Sequence, residues 1–365
     1  MVYNMRDMRI LITPLIRKPK ADASYYLTRN LAALFRQENH QVAISASRDN
    51  AFRYASLYEC PSLHRPLLHF HTGRSYEEWL YANGASTKEY LLDDIHTISE
   101  IVDSFHPDLI ITMDRIAAIM VSELRHIRCW AIVNSAMYRK TYFPASVLKD
   151  TNAVLEAFHL DQVFDLPSLY ALCERRIGFG PIEVQPFIED NQVTRIGLQS
   201  VYPLHATRTN RVCVFIPDVR KNAHALNKII TEAFLGAPYS VYVWYEGCHP
   251  SHIDNIHFLA KPKPELMPGS IAVIHDGNDY LCNACMSRGI LQVMIVNHEC
   301  IRSYEAQAAE RNMFGLAIHE ENLTMAKLYE TYRTLLSDDS YYQHTEKIRK
   351  LINELPDLTD ILRFL

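Results

Sequence analysis

Residues 271–289, IAVIHDGNDYLCNACMSRG, are the stretch best suited to chemistry. The β-branched apolar run Ile271 to Ile274 has the composition of a buried strand. His275, Asp276, Gly277 and Asn278 break that run with turn-forming types. Small and apolar residues at helical spacing then extend from Asp279 to Gly289, a residue suited to a C-cap. A strand, a glycine turn and a helix start can bind an anion, because free N–H groups and the helix dipole point into the turn. His275 would stand at the carboxyl end of its strand, where open α/β sheets bind ligands. The same pattern also fits an ordinary strand–helix corner, and the stretch alone does not separate the two.

Other reactive groups weigh less. Cys282 and Cys285 have a redox- or zinc-like spacing, but no second pair follows. Small thiols in a buried helix account for them better, and no metal site is expected. His64, His69 and His71 fall in an aromatic segment, where surface or packing roles are commoner than a cleft or a metal. The 21 tyrosines suit a flat or glycan acceptor, although core and surface use explains most of them. Asp22 or Ser24 fits the cap of a helix, YYLTRNLAALFRQE, whose Leu27, Leu31, Leu34 and Phe35 share one face.

The elements that must position these groups alternate. Strands are expected at Arg9 to Thr13, QVAISAS, DLIITM, CWAIV, VCVFIP, SVYVWYE, IHFLA and LQVMIV. Helices are expected between them, near 87–105, 117–124, 303–313, 323–337 and 340–353. Strand–helix alternation implies parallel sheets with right-handed crossovers. A chain of 365 residues suggests two such domains. The expected boundaries are 1–195, a linker at 196–210, 211–345, and a segment 346–365 that packs back toward the N-terminal domain. Apolar residues at 48% and charged ones at 22% indicate a globular protein. A net charge of −5 supplies no basic field, so nucleic acid is not an expected partner. No apolar run spans a bilayer, and the N-terminus reads as no export signal. Eight scattered cysteines fit reduced thiols in a cytoplasm.

Three local patterns resemble the UDP-glycosyltransferase superfamily, enzymes with two facing Rossmann-like domains (the GT-B type of α/β fold). LAKPKPELMP resembles a family segment through Pro262, Lys263, Leu266, Met267 and Pro268. IAVIHDGNDYLCNA resembles the strand and His-Gly-Gly loop that follows it, with His275, Gly277 and Ala284 matching. SYEAQAAERNMFGLAI resembles a later helix closing at Gly315. The N-terminal half is similar through its first strand, LAALFRQENHQVAI and PDLIITMDRIAA.

The resemblance implies transfer of a sugar from a UDP- or dTDP-linked donor to a small-molecule or peptide acceptor, inverting and without metal or other cofactor. Negative charge developing on the leaving diphosphate calls for oriented N–H dipoles. His275, Gly277, Asn278, Asp279 and Tyr280 are the implied donor loop. Leu259, Pro262 and Lys263 are implied to support the nucleobase, and Glu299 with Arg302 the sugar. Asp114 takes the place of the aspartate that orients the family's catalytic histidine. No histidine stands in PLIRKPKADASYY, so Asp22 is the nearest ionisable substitute for the general base. Asp276 and Asp279 replace glycines, and carboxylates there compete with a diphosphate for the same N–H groups. Pro217 and Asp218 stand where the family has glycine and serine. An inactive relative acting as a binding or activating partner, within an oligomer or with another protein, is the alternative. A sugar-nucleotide epimerase is a third reading.

Overall fold

The computed structural model describes residues 7–17, 22–46, 55–63, 73–139, 142–185, 193–198, 209–217 and 222–365. His64, His69, His71 and Asp218 lie outside them. The chain divides into two compact units. One takes in Met1–Phe179, Phe187–Arg195 and Thr359–Leu365; the other takes in Gly180–Pro186 and Ile196–Leu358.

The first unit runs β1 (Arg9–Pro14), α1 (Ala23–Gln37), β2 (Gln41–Ala46), β3 (Ser56–Glu59), α2 (Tyr76–Ala82), α3 (Lys88–Phe105), β4 (Leu109–Met113), α4 (Ile116–Arg125), β5 (Arg128–Val133), α5 (Ser135–Tyr138), α6 (Ser146–Ala157), α7 (Leu166–Tyr170), β6 (Arg175–Phe179) and β7 (Val193–Ile196). Its sheet has the order β3-β2-β1-β4-β5-β6-β7. The β1, β2 and β4 pairings are parallel, with Ile10 opposite Val42 on one side and Leu109 on the other. Central parallel strands are covered on both faces, which is why RILITP and LIITM are apolar almost throughout. Leu27, Leu31 and Phe35 bury the inner face of α1 as expected, while Leu34 is half-buried.

The second unit runs β8 (Arg211–Ile216), α8 (Ala223–Phe234), β9 (Ser240–Tyr245), β10 (Ser251–Ile253), β11 (Ile256–Phe258), β12 (Ala272–His275), α9 (Asp279–Arg288), β13 (Leu291–Val296), α10 (Cys300–Arg311), β14 (Gly315–His319), α11 (Met325–Ser337) and α12 (Asp339–Glu354). Its sheet order is β10-β11-β9-β8-β12-β13-β14, parallel except for the β10–β11 hairpin.

Both sheets therefore repeat one topology. The first strand lies in the middle, the next strands are added on one side, and the order then reverses to the other side. The reversal falls between β1 and β4 in the first unit and between β8 and β12 in the second. In such sheets ligands bind beyond the carboxyl ends of the strands at that reversal. The α/β reading with two Rossmann-like domains holds.

Strands β3, β6, β7, β10 and β14 were not expected from sequence. RRIGF carries two arginines and a glycine, SHI and SLYE lie at or near sheet edges, and GLAIH is short. None has the apolar run that identifies a central strand. Among the described residues, no helix is long and apolar enough to cross a membrane.

Candidate active site

In the first unit the reversal point is occupied by Asp114. Strand β4 ends at Met113, and Asp114 turns out of it with φ of 61°, a left-handed conformation that aspartate tolerates better than bulkier residues. The next residue holds the turn in place. Buried Arg115 donates from Nε to Asp94 Oδ2 at 2.8 Å and from Nη1 to Ser45 O at 2.7 Å. Its own carbonyl accepts from Thr112 Oγ1 at 2.8 Å.

The Asp114 carboxylate collects polar neighbours from four elements. Tyr76 on α2 donates to Asp114 Oδ1 at 2.6 Å, and the Tyr76 and Tyr170 hydroxyls are 3.0 Å apart. Tyr76 has one proton and gives it to Asp114, so Tyr170 donates to Tyr76. Ser24, at the start of α1, hydrogen-bonds the same carboxylate, and the charges of Arg17 and Asp22 act on it. Burial outweighs these bonds and raises the Asp114 pKa from 3.8 to about 6. A carboxylate tuned that close to neutrality suits a general base.

Asp22 lies in the same cluster. It occupies the N-cap position of α1 without a side-chain cap bond. Its Oδ2 instead accepts from the Arg17 N–H at 2.6 Å, and Oδ1 accepts from Arg17 Nη2 at 3.3 Å. Arg17 also lies over the Trp79 ring at 4.6 Å, and Trp79 stacks on Tyr76. Asp22 is thus an ion-paired, buried carboxylate (8% exposed) that adds negative charge beside Asp114.

In the second unit, the loop after β12 is built differently from the expectation. His275 is fully buried. Gly277 N–H donates to its Nδ1 at 3.1 Å, which leaves Nε2 to carry the ring proton and donate to Gln292 Oε1 at 2.9 Å. Burial lowers its pKa from 6.5 to about 4, so the ring is neutral near pH 7. His275, expected from sequence to contact the donor, has both ring nitrogens engaged inside the unit, where the side chain positions the turn. Gly277 has φ of 72°, and a Cβ there would stand 2.5 Å from Val296 Cγ1, so the turn requires glycine.

Asp276 is also buried. Its Oδ1 accepts from Asn278 N–H at 3.2 Å, and its Oδ2 lies 3.1 Å from Arg302 Nη1. Arg302 Nε lies 3.6 Å from Glu299 Oε2. Glu299 and Arg302, expected to hold sugar hydroxyls, are buried; Arg302 on α10 clamps the loop through Asp276, and Glu299, at the N-cap of that helix, pairs with Arg302. The negative charge expected of Asp276 is therefore offset by Arg302.

The helix start itself is capped. Asn278 Oδ1 accepts from the N–H groups of Tyr280 at 2.9 Å and Leu281 at 3.4 Å, and Asp279 Oδ1 also accepts from Tyr280 at 2.9 Å. Asp279 and Tyr280 are half-buried. Leu259 and Pro262, also half-buried, and exposed Lys263 follow β11. They share the carboxyl edge of the sheet with the 276–280 loop, three strand spacings away, or roughly 14 Å. Cys282 and Cys285 are buried, unbridged thiols in α9, and burial raises both pKa values.

Sequence reading missed Arg17, Ser24, Tyr76 and Tyr170 as a group. Tyr76 lies 38 residues from Asp114, and no local spacing connects them. It also missed Glu305 on α10, which is 1% exposed and accepts from Gln185 at 3.0 Å.

No protein-family model and no curated protein matches the chain. Solved structures do match along its length. The calicheamicin glycosyltransferase CalG4 is 12% identical, with a TM-score of 0.74 over 99% of this chain and 98% of that one. The spinosyn rhamnosyltransferase SpnG, complexed with thymidine diphosphate, is 15% identical with a TM-score of 0.72, covering 98% and 99%. The glycosyltransferase VinC, in complex with dTDP, is 17% identical with a TM-score of 0.68, covering 98% of both chains. The chain has the GT-B type of α/β fold.

Proposed function

We propose that the chain transfers a sugar from a nucleoside diphosphate sugar to a hydroxyl of a small-molecule or peptide acceptor, in the cytoplasm, with inversion and without a metal or other cofactor. The observation that carries this reading is Asp114, held by Tyr76 and Ser24 at the reversal of the first sheet with a pKa of about 6. Such a carboxylate takes the acceptor's proton as its oxygen attacks the anomeric carbon, with Asp22 adding negative charge beside it. The C–O bond to the diphosphate breaks in the same displacement, and the configuration inverts.

The second unit supplies the donor side. The N-terminus of α9 provides N–H groups and a favourable dipole for the departing diphosphate. Leu259, Pro262 and Lys263 support the nucleobase roughly 14 Å along the same edge. Arg302 and Glu299 keep the loop in register. Thymidine diphosphate in two of the matching structures favours a dTDP-linked sugar over a UDP-linked one. Eight free cysteines fit a reducing compartment.

One observation favours the second reading, a non-catalytic binding relative. The side chains of Asn278 and Asp279 already hold the N–H groups that a diphosphate would use. Thermal unfolding with dTDP, UDP and GDP, followed by hydrolysis assays with dTDP- and UDP-sugars, decides between the readings. Transfer predicts a higher melting temperature with dTDP or UDP and slow release of free sugar. A shift without turnover supports the binding relative, and no shift with any of the three removes the transferase reading.

A further inference from the structure

We propose that His298, His319 and Glu321 form a binding site for a divalent transition-metal ion of the zinc class, independent of the sugar-transfer reading. One ligand atom from each residue lies within 4.8 Å of the other two. The fold brings them together: β13 and β14 run parallel, with Val296 opposite His319. His298 lies just beyond the end of β13, and Glu321 sits in the single turn Glu320–Asn322 that follows β14.

The local geometry is already partly organised. His298 Nε2 lies 3.0 Å from Glu321 Oε1. The His298 and His319 rings stack with centroids 5.0 Å apart and planes 21° apart. Two imidazoles and one carboxylate form a donor set that suits zinc, nickel or copper, whereas magnesium and calcium prefer all-oxygen sites. Zinc binds nitrogen at about 2.0–2.1 Å and carboxylate oxygen at about 2.0–2.2 Å, which requires the three atoms to draw somewhat closer. All three residues are exposed, so side-chain rotation suffices. Three protein ligands leave a fourth position for water. The ion ties the exit of β13 to the exit of β14, one residue before Glu299.

Isothermal titration of the EDTA-treated full chain with zinc chloride tests the site, with cobalt(II) absorption identifying the donor atoms. The expected result is one equivalent of zinc bound and a raised melting temperature. The cobalt spectrum should show nitrogen and oxygen ligands without thiolate charge transfer, and magnesium should give no heat. His298→Ala and His319→Ala should each weaken zinc binding by at least about tenfold. These surface substitutions should leave the metal-free melting temperature unchanged. Absence of stoichiometric zinc, a thiolate-type cobalt spectrum, or unchanged binding in the His298→Ala/His319→Ala double variant overturns the proposal.

Discussion

Replacing Glu305 with glutamine should flatten the pH dependence of the second unit's stability. Burial, with the charge of Asp279 nearby, raises the Glu305 pKa from 4.5 to about 8. One carboxyl oxygen accepts from Gln185, and the other has no partner among the described residues. Between those two pKa values the folded state keeps a proton that the unfolded state has lost, so stability falls as pH rises. The penalty is absent below pH 4.5, where both states are protonated, and complete above about pH 8. A shift of that size corresponds to about 5 kcal/mol, of which about 3 is reached by pH 7. Glutamine keeps the shape and the acceptor of the protonated acid but cannot ionise.

His275 contributes an opposite slope. Its pKa is lowered from 6.5 to about 4, so the folded state resists protonation and loses up to about 3 kcal/mol as pH falls through that window. This effect is common to both proteins and cancels in the comparison. Hydrogen exchange on peptides from β12, β13 and α10, measured from about pH 5 to 8.5, isolates this unit from the other. Glu305→Gln should match the wild type at the acid end and exceed it by several kcal/mol at the alkaline end. Parallel profiles across the range would refute the buried neutral carboxyl.

Further expectations follow from the two reversal points. Asp114→Asn should lower kcat by roughly 10²–10⁴-fold while leaving the Kd for dTDP unchanged, and the wild-type rate should fall as pH drops through about 6. Tyr76→Phe removes a hydrogen bond that lowers the Asp114 pKa, so the acid limb of the rate profile should move to higher pH. Asp94→Ala leaves Arg115 buried without its carboxylate and should cost about 3–5 kcal/mol in thermal or urea unfolding of the first unit. Asn278→Gly should cost the helix only a few tenths of a kcal/mol while freeing the Leu281 N–H and leaving that of Tyr280 to Asp279 alone, so dTDP should bind more tightly in calorimetry.

The architecture was legible because the central strands are apolar runs and the helices between them are amphipathic. RILITP, LIITM and LQVMIV are almost wholly buried, as their composition requires. Gly277 and Gly289 were legible too, since positive φ leaves few alternatives at a turn and a helix end. The direction in which His275 points was not. A histidine at a strand's end can face ligand or core, and Gln292 on the neighbouring strand, with the Gly277 N–H, decides it here. Likewise the charge of Asp276 has a different meaning once Arg302 lies against it. The Asp114 cluster draws on the β1–α1 loop, α1, α2 and α7. No window of sequence contains them all.

The last seven residues have a consequence for how the first unit is made. Thr359–Leu365 belong to that unit, where Arg128 Nη1 donates to the Leu365 carbonyl across a separation of 237 residues and Arg175 lies 4.3 Å from the Phe364 ring. A ribosome must pass through all of Ile196–Leu358 before these residues emerge, a delay of roughly ten to thirty seconds at ordinary elongation rates. For that interval the nascent first unit lacks these contacts to Arg128 and Arg175. The second unit has meanwhile been synthesised almost entire, so the unit begun first is the one completed last.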